Sequence, residues 1–217
     1  DSELMLNYEL GAKGLWFDDK LQMQVSLFYQ DRDEVQLKQS LVQSREESNA
    51  TTFIDYIGNS AAGSNQGVEV EFNWLASEIL VLFGSVGLLD TEYDVPLSAD
   101  LDSREQAHAP GYQFTLGLSA RLSDSLTLTV DVEGKDKFYL SSSHDEQTRS
   151  YELVNVSMAY VAGDWSLSLW ARNVTDEAVI VRGFGGFGND PRKFYETEAY
   201  YQLGEPRMIG VSANYVF

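Results

Sequence analysis

The sequence predicts an all-β protein whose strands form part of the wall of an antiparallel transmembrane β-barrel. Three features of the 217 residues lead to this prediction. Apolar and polar residues alternate at period two over segments of ten or more residues, the turns between the segments are alternately short and long, and aromatic residues gather at the segment ends. Helical periodicity is almost absent.

The alternation is clearest in residues 126–133. Four apolar residues there alternate with four polar ones, which places one apolar and one polar face on a single strand. The apolar positions are Leu126, Leu128, Val130 and Val132, and the polar positions are Thr127, Thr129, Asp131 and Glu133. Residues 68–74, 114–122 and 209–217 repeat the pattern, so each of these segments predicts a strand of the same kind.

The predicted turns fall into two length classes. Short turns lie at residues 17–20, 76–78, 123–124 and 162–164, and long polar segments lie at residues 44–50, 95–109, 141–149 and 183–200. Membrane barrels show this alternation because short periplasmic turns alternate with longer external loops. The segments between the turns predict about nine strands, beginning near residues 4, 21, 52, 79, 111, 125, 150, 165 and 201.

The odd number of strands bears on how the barrel closes. In an up-and-down antiparallel array the first and ninth strands run in the same direction, so they cannot pair with each other as neighbouring strands of bacterial barrels do. We therefore expect further strands before Asp1. If Phe217 lies at the periplasmic side, all four short turns fall on that side as well.

A soluble β-sandwich would also show alternation at period two, and two features favour the membrane instead. Charged residues occupy the polar face in mid-strand, as expected for a water-filled lumen; they are Glu69, Glu71, Arg121, Asp131, Glu133 and Arg172. Aromatic residues stand at strand ends, where their rings favour the headgroup boundary. We predict that the membrane-interface aromatics are Trp16, Trp74, Trp165 and Tyr215. A soluble binding module remains the alternative.

The composition excludes several classes of protein. A net charge of -19, from 34 acidic and 15 basic residues, argues against a nucleic-acid partner. The longest apolar run is residues 79–83, which is too short for a transmembrane helix. Because the chain has no cysteine, it has neither disulfides nor thiolate metal ligands, which suits a protein that crosses an oxidising periplasm.

Residues suited to catalysis are scarce. The two histidines are the candidate bases at neutral pH, and no serine stands in a nucleophile-elbow context. Glu69 and Glu71 share one strand face, and we interpret them as solvated acids of the lumen rather than a catalytic pair. The glycine-rich segment 183–189 lacks the Gly-Lys-Ser/Thr of a phosphate-binding loop. We therefore predict no catalytic residue, no metal site, no cofactor and no enzymatic activity.

Ligand contact is predicted in the long polar segments instead. Aromatic and cationic side chains in a receptor mouth bind rings and anionic groups. The candidates for a ligand-facing role in external loops are His108, His144, Phe184, Phe187 and Arg192.

Five segments of the sequence resemble motifs of a known family, one of them being residues 83–93 (FGSVGLLDTEY), which resemble its small-residue strand. Residues 7–13 (NYELGAK) resemble a repeated strand motif of TonB-dependent receptors, and residues 59–73 (NSAAGSNQGVEVEFN) carry the most specific similarity. Residues 171–176 (ARNVTD) and 204–217 (GEPRMIGVSANYVF) are similar to the penultimate hairpin and the terminus of the same family. The resemblance covers nearly the whole chain.

The resemblance implies that residues 1–217 are the C-terminal part of a receptor barrel in the cell outer membrane. It implies nine strands of a 22-stranded barrel, with the N-terminal plug and the earlier strands outside this sequence. The implied function is TonB-energised uptake of a scarce nutrient, first of all a ferric siderophore; carbohydrate or cobalamin uptake and a passive porin-type barrel are the alternatives. The implied partners are the TonB complex, outer-membrane lipid and lipopolysaccharide, the nutrient ligand, and the barrel-assembly machinery, for which Phe217 belongs to the assembly signal.

Overall fold

The structure, a computed structural model, describes the backbone of most of the chain. The described residues are 2–44, 51–94, 104–141, 145–185, 190–194, 196 and 198–216, and side chains are described for all of these except 37–44, 51–53, 55, 60, 184 and 185. Within these ranges, no helix has both the length and the apolar character needed to cross a membrane.

Eleven strands and one short 3-10 helix, Pro191–Lys193, make up the regular structure of the described residues. The strands are β1 (Leu4–Trp16), β2 (Leu21–Ser44), β3 (Thr51–Ser77), β4 (Leu80–Asp94), β5 (Tyr112–Arg121), β6 (Leu126–Lys135), β7 (Tyr151–Ala162), β8 (Trp165–Arg172), β9 (Ile180–Gly185), β10 (Ala199–Leu203) and β11 (Met208–Tyr215). Nine of these described strands form one antiparallel sheet in the order β1-β2-β3-β4-β5-β6-β7-β8-β11, and β9 pairs with β10 separately.

Acidic residues help to make the tight turn between β1 and β2. Phe17, Asp18 and Asp19 follow one another with φ values of 56°, 55° and 63°, a left-handed backbone that aspartate tolerates better than most residues. Lys20 closes the turn by donating its backbone N–H to the Phe17 carbonyl at 3.3 Å. The turn between β7 and β8 uses Gly163 at φ 59°. Both turns therefore reverse the chain within four residues.

One face of the sheet is apolar across its whole width. A single row of cross-strand partners runs through all nine strands of this described sheet: Trp16, Leu21, Trp74, Leu82, Leu118, Val130, Val156, Ala171 and Ile209. The row begins at the short-turn end of β1 and finishes at the long-loop end of β11, so the strands are staggered as barrel closure requires. Most of these side chains are only partly buried, which is expected where lipid covers them.

The apolar face has the height of a membrane belt. On β2 the belt runs from Leu21 to Tyr29, which is about 26 Å along a strand and about 20 Å after a tilt of about 40°. In the next outward row, β2 to β4 carry the polar residues Asp31, Ser64 and Glu92, whereas β1 keeps the apolar Leu6. The belt therefore ends where water and headgroups would begin.

The opposite face carries the charged mid-strand residues and follows a glycine–aromatic pattern. A Cβ added at Gly67 would lie 2.5 Å from the Phe28 ring, and one at Gly117 would lie 2.3 Å from the Phe83 ring. At these positions an aromatic ring on the neighbouring strand covers the glycine, so the strand keeps a packed surface without a side chain of its own. We call this face the lumen face.

The ninth strand of the sheet differs from the prediction. We expected a strand from near residue 201, but the structure divides this region into β10, which ends at Leu203, and β11, which begins at Met208. Pro206 lies in the interruption, where a residue without an N–H cannot continue a strand ladder. Correspondingly, the predicted loop at residues 183–200 includes the end of β9 and the start of β10.

The buried side chains lie toward the long-loop end of the sheet. In the described part of the chain, the side chains that are less than a tenth exposed are those of Val35, Ala61, Thr91, Tyr93, Arg104, Gln106, Phe138, Leu140, Thr148, Asn173 and Val179. They come from the long-loop ends of β2, β3 and β4 and from the segments after β4, β6 and β8. We call the described residues of segments 104–111 and 136–149, with β9 and β10, the loop layer.

Candidate functional site

A polar groove lies on the lumen face below the loop layer. Its volume is about 410 Å³. Its lining includes the side chains of Gln24, Ser26, Glu69, Glu71, Ser85, Gln113, Thr115, Glu133, Lys135 and Tyr151. Three carboxylates and one ammonium group make the groove acidic, and the serine and threonine hydroxyls add donors and acceptors. Such a surface suits water, polar solutes or a polar protein segment.

Arg104 joins two segments of the loop layer. It donates to the Asp145 carboxylate at 2.8 Å and to the Ser141 carbonyl at 2.6 Å, and its guanidinium lies 3.9 Å from the centre of the Tyr139 ring. The Arg104 side chain is 8% exposed, so these three contacts compensate for the loss of water around the charge. Arg104 therefore fixes segment 104–111 against segment 136–149.

Arg32 attaches segment 104–111 to the barrel wall. Arg32 donates to Glu3 at 2.9 Å and to Gln106 at 3.1 Å. The backbone N–H of Gln106 donates to Thr91 Oγ1 at 3.0 Å. The hydrogen bond from Arg32 lowers the pKa of Glu3, which is therefore ionised at neutral pH. The segment after β4 thus folds inward over β2 to β4.

His108 lies where all three parts of the loop layer meet. Its backbone N–H donates to the Tyr139 carbonyl at 2.9 Å, and its ring centre is 5.8 Å from that of Phe138. Burial lowers the pKa of His108, and the positive charge of Arg182 on β9 lowers it further. The neutral imidazole is therefore the form that the packed loop layer favours.

Acidification is expected to loosen this junction. The pKa of His108 is lowered in the folded layer, so the neutral ring stabilises the layer fully above the ordinary histidine pKa of about 6.5. This stabilisation is lost as the pH falls below that value. Hydrogen exchange of the His108 amide, corrected for the intrinsic effect of pH, should show less protection at low pH. His108→Asn, which tolerates the left-handed φ of 60° and carries no charge, should remove this dependence. Equal protection at both pH values would contradict the expectation.

Asn173 holds the base of the last external segment. It is 3% exposed, and its side chain donates to the carbonyls of Glu177 at 2.9 Å and Glu205 at 3.2 Å. Its Oδ1 atom accepts the Glu177 N–H at 2.8 Å. Nearby, the Arg207 N–H donates to Asp176 at 2.9 Å. The segment that resembled the penultimate-hairpin motif is therefore a turn that ties the outgoing and returning chains together.

The structure separates the predicted ligand-facing residues. His108 is part of the loop layer, whereas Arg192 is exposed and donates to Asp190 at 2.9 Å. Phe184 pairs with Tyr200 in the β9–β10 ladder, and nothing further is described of its side chain. His144 and Phe187 lie outside the described residues, as does Phe217. The five candidates therefore remain predictions, and so does the assembly signal.

The predicted interface aromatics all lie at the short-turn end of the outward face. Trp16 and Trp74 flank Leu21 in one row, and the rings of Trp165 and Tyr215 are 4.9 Å apart. Their exposed fractions lie between 39% and 52%, which suits rings at a lipid–water boundary. Their membrane role stays a prediction that this arrangement supports.

Several residues of the site were not predicted from the sequence. Arg104 contacts Asp145 and Ser141, and Leu140 packs on Gly183. These contacts join segments far apart in the chain, for which alternation gives no signal. Phe194 is 92% exposed beside the short 3-10 helix, and an aromatic residue in a polar segment could have indicated it. Within the described residues, no group of three or more histidine or carboxylate side chains is arranged to hold a metal ion.

The apolar belt, the polar lumen face and the inward-folded loop layer define this chain as part of an outer-membrane β-barrel wall. The family model for the TonB dependent receptor-like beta-barrel matches residues 1–174. The chain belongs to this family, a family of outer-membrane receptors rather than enzymes. Its location is therefore the cell outer membrane, and the predicted antiparallel barrel-wall fold is confirmed.

Solved structures of receptors share this fold. The ferric yersiniabactin uptake receptor FyuA from Yersinia pestis matches with a TM-score of 0.76 at 16% identity, over 99% of this chain and 30% of that chain. The siderophore receptor PiuA from Acinetobacter baumannii matches with a TM-score of 0.73 at 15% identity, over 96% of this chain and 28% of that chain. The ferripyoverdine receptor of Pseudomonas aeruginosa matches with a TM-score of 0.69 at 18% identity, over 98% of this chain and 27% of that chain. The chain spans under a third of these receptors, so the total of 22 strands stays a prediction.

Proposed function

We propose that residues 1–217 form the C-terminal part of the barrel of an outer-membrane receptor that takes up a scarce nutrient by TonB-energised active transport. The observation that carries the proposal is the family match over residues 1–174. The acidic lumen groove and the loop layer above it support the proposal, because they give a solute a polar path beneath a packed mouth. In this proposal the chain carries out no chemistry of its own.

The nutrient in this proposal is a ferric siderophore. The three receptors named above are described as a ferric yersiniabactin uptake receptor, a siderophore receptor and a ferripyoverdine receptor. Their fold is shared along nearly the whole of this chain, which supports the same class of ligand here. The segment between β9 and β10 presents an exposed ring at Phe194 and an exposed cation at Arg192, groups of the kind that bind such chelates.

The remaining parts of the proposal concern the longer protein and its partners. Thirteen strands and a plug would precede this chain in a 22-stranded barrel, and the TonB complex would act through the N-terminal part. Outer-membrane lipid and lipopolysaccharide would contact the apolar belt and the polar rows above it. Phe217 would be read by the barrel-assembly machinery.

The test measures uptake in a strain that lacks the full-length gene and carries it on a plasmid. We expect cells with the plasmid to accumulate radiolabelled iron from at least one of a panel of ferric siderophores, and to lose this uptake when TonB is deleted. If the cells instead accumulate a carbohydrate or cobalamin, and this uptake still depends on TonB, the siderophore is the wrong ligand and active transport stands. Uptake that persists without TonB would overturn active transport in favour of a passive barrel.

Two arginine variants make the test specific for the loop layer. Arg104→Ala removes the link between two of its segments and should weaken ligand binding to whole cells. Arg121→Ala removes an arginine at the short-turn end, where it donates to the Glu78 carbonyl at 2.7 Å, and should leave binding unchanged. Equal effects of the two substitutions would argue against the loop layer as the ligand site.

A further inference from the structure

A chain of hydrogen bonds connects the lumen face to the β9–β10 hairpin. Asp131 lies on the lumen face of β6, and its Oδ2 atom accepts a hydrogen bond from Asn155 Nδ2 at 2.8 Å. The Oδ1 atom of Asn155 in turn accepts the backbone N–H of Asn173 at 3.1 Å. Each amide group therefore has its orientation set by the group before it.

Asn173, the last residue in this series of hydrogen bonds, contacts both stems of the hairpin. Asn173 donates to Glu177 on the outgoing side and to Glu205 on the returning side. Because Asn173 is almost fully buried and left-handed, with φ 48°, its side chain has little freedom to find other partners. A change in the direction of its N–H would therefore be passed to both stems of the hairpin.

The stems are also the place where the hairpin is free of the sheet ladder. Strands β8 and β11 stay paired up to Arg172 and Met208, and pairing resumes only in β9 and β10. Between them, the Asn173 contacts and the Arg207–Asp176 hydrogen bond bridge the interruption. Backbone hydrogen bonds in this segment include Val174 N–H to the Val154 carbonyl at 2.8 Å and Gly204 N–H to the Val179 carbonyl at 2.9 Å, but no continuous ladder joins its two sides. A short segment without a continuous ladder is the type of element that acts as a hinge.

We propose that Asp131 is a positioning residue for the β9–β10 hairpin and acts through Asn155 and Asn173. The lumen carboxylate holds the Asn155 amide in one orientation, this amide holds the Asn173 N–H, and Asn173 holds the hairpin over segment 136–149. There, a Cβ at Gly183 would lie 2.6 Å from Leu140, so the hairpin rests directly on that side chain. The state of the lumen beside Asp131 is thereby linked to the position of the hairpin at the mouth.

The charge of Asp131 is available for this role. No ion pair between residues that the structure describes includes Asp131. A hydrogen bond to a carboxylate is stronger than one between neutral groups. The Asn155–Asp131 hydrogen bond is therefore expected to be stronger than the Asn173–Asn155 hydrogen bond. The inference goes beyond the proposed uptake and does not depend on which ligand is carried.

The test measures the position of the hairpin by the distance between two spin labels in the full-length protein in lipid nanodiscs. One label replaces the exposed Phe194 and the other replaces the exposed Asp33, both in residues 1–217, which contain no cysteine. Any cysteine elsewhere in the full-length protein is replaced by serine. We expect Asp131→Ala to raise the population of displaced hairpin by about tenfold, which corresponds to about 1.4 kcal/mol. Asp131→Asn keeps an acceptor oxygen for Asn155 and should restore most of the original distribution.

Two further variants separate this role from general stability. Thr129→Val removes another lumen-face hydrogen bond of β6, from Thr129 to Ser119 at 3.3 Å, and should leave the distances unchanged. Asn155→Asp keeps the acceptor for Asn173 but sets a second carboxylate against Asp131, so it should displace the hairpin even if Asp131→Ala fails to assemble. Distances in Asp131→Ala or Asn155→Asp that match those of Thr129→Val would overturn the proposal.

Discussion

Replacing Val130 by lysine is expected to destabilise the assembled barrel by about 2–4 kcal/mol. Val130 lies near the middle of β6 on the outward face, between Leu118 and Val156 of the neighbouring strands. A lysine there would place an ammonium group close to the middle of the apolar belt, where no water solvates it. The measurement is unfolding of the full-length protein by urea in lipid vesicles, followed by the loss of the compact form in gel electrophoresis.

The adjacent residue provides the matched control. Thr129 precedes Val130 on the same strand and faces the lumen, where its hydroxyl contacts Ser119. Thr129→Lys introduces the same charge into a water-filled space, so its effect should be within about 1 kcal/mol. Similar losses for the two variants would show that the face we assign to lipid is not in contact with it.

Replacing Gly117 by valine is expected to cost at least about 1–3 kcal/mol, the usual range for overfilling a packed site. A Cβ at this position would lie 2.3 Å from the Phe83 ring and 3.0 Å from the Cβ of Asp131. The Phe83 ring must leave the glycine that it covers, and the lumen face of β4 to β6 must rearrange. The same urea measurement reports the loss.

Gly87 allows the steric cause to be isolated. It lies on the lumen face of β4, but a Cβ there meets nothing closer than Gln113 Cγ at 3.7 Å. Gly87→Val should therefore be tolerated, since valine also favours a strand. Adding Phe83→Ala to Gly117→Val should recover part of the lost stability. If the double variant is no better than the single one, the Phe83 contact is not the reason for the glycine.

The wall of the barrel could be predicted from the sequence because its cause is local. Alternation at period two sets which side chains face lipid, so the row through Leu118 and Val130 follows once the strands are aligned. The short turns also follow from local chemistry, as Asp18 and Asp19 illustrate. The prediction failed at the ninth strand, since the alternation continues on both sides of Pro206 and gives no sign of the interruption that Asn173 and Asp176 stabilise.

The loop layer could not be predicted for a different reason. Arg104 meets partners 37 and 41 residues away, at Ser141 and Asp145, and such contacts depend on how the wall brings the long segments together. The sequence indicated His108 as a ligand-facing residue from its type and its loop position alone. Its place among Phe138, Tyr139 and Arg182 is a property of the folded mouth.

The placement of the buried side chains has a consequence for cooperativity. The wall has lipid on one face and the lumen on the other, so its stability depends on the bilayer and on strand pairing. The loop layer instead has a small core of its own around Leu140 and Phe138, which are 0% and 3% exposed. Local opening follows the density of buried contacts. We therefore expect the mouth to open and close locally while the strands of the wall stay paired.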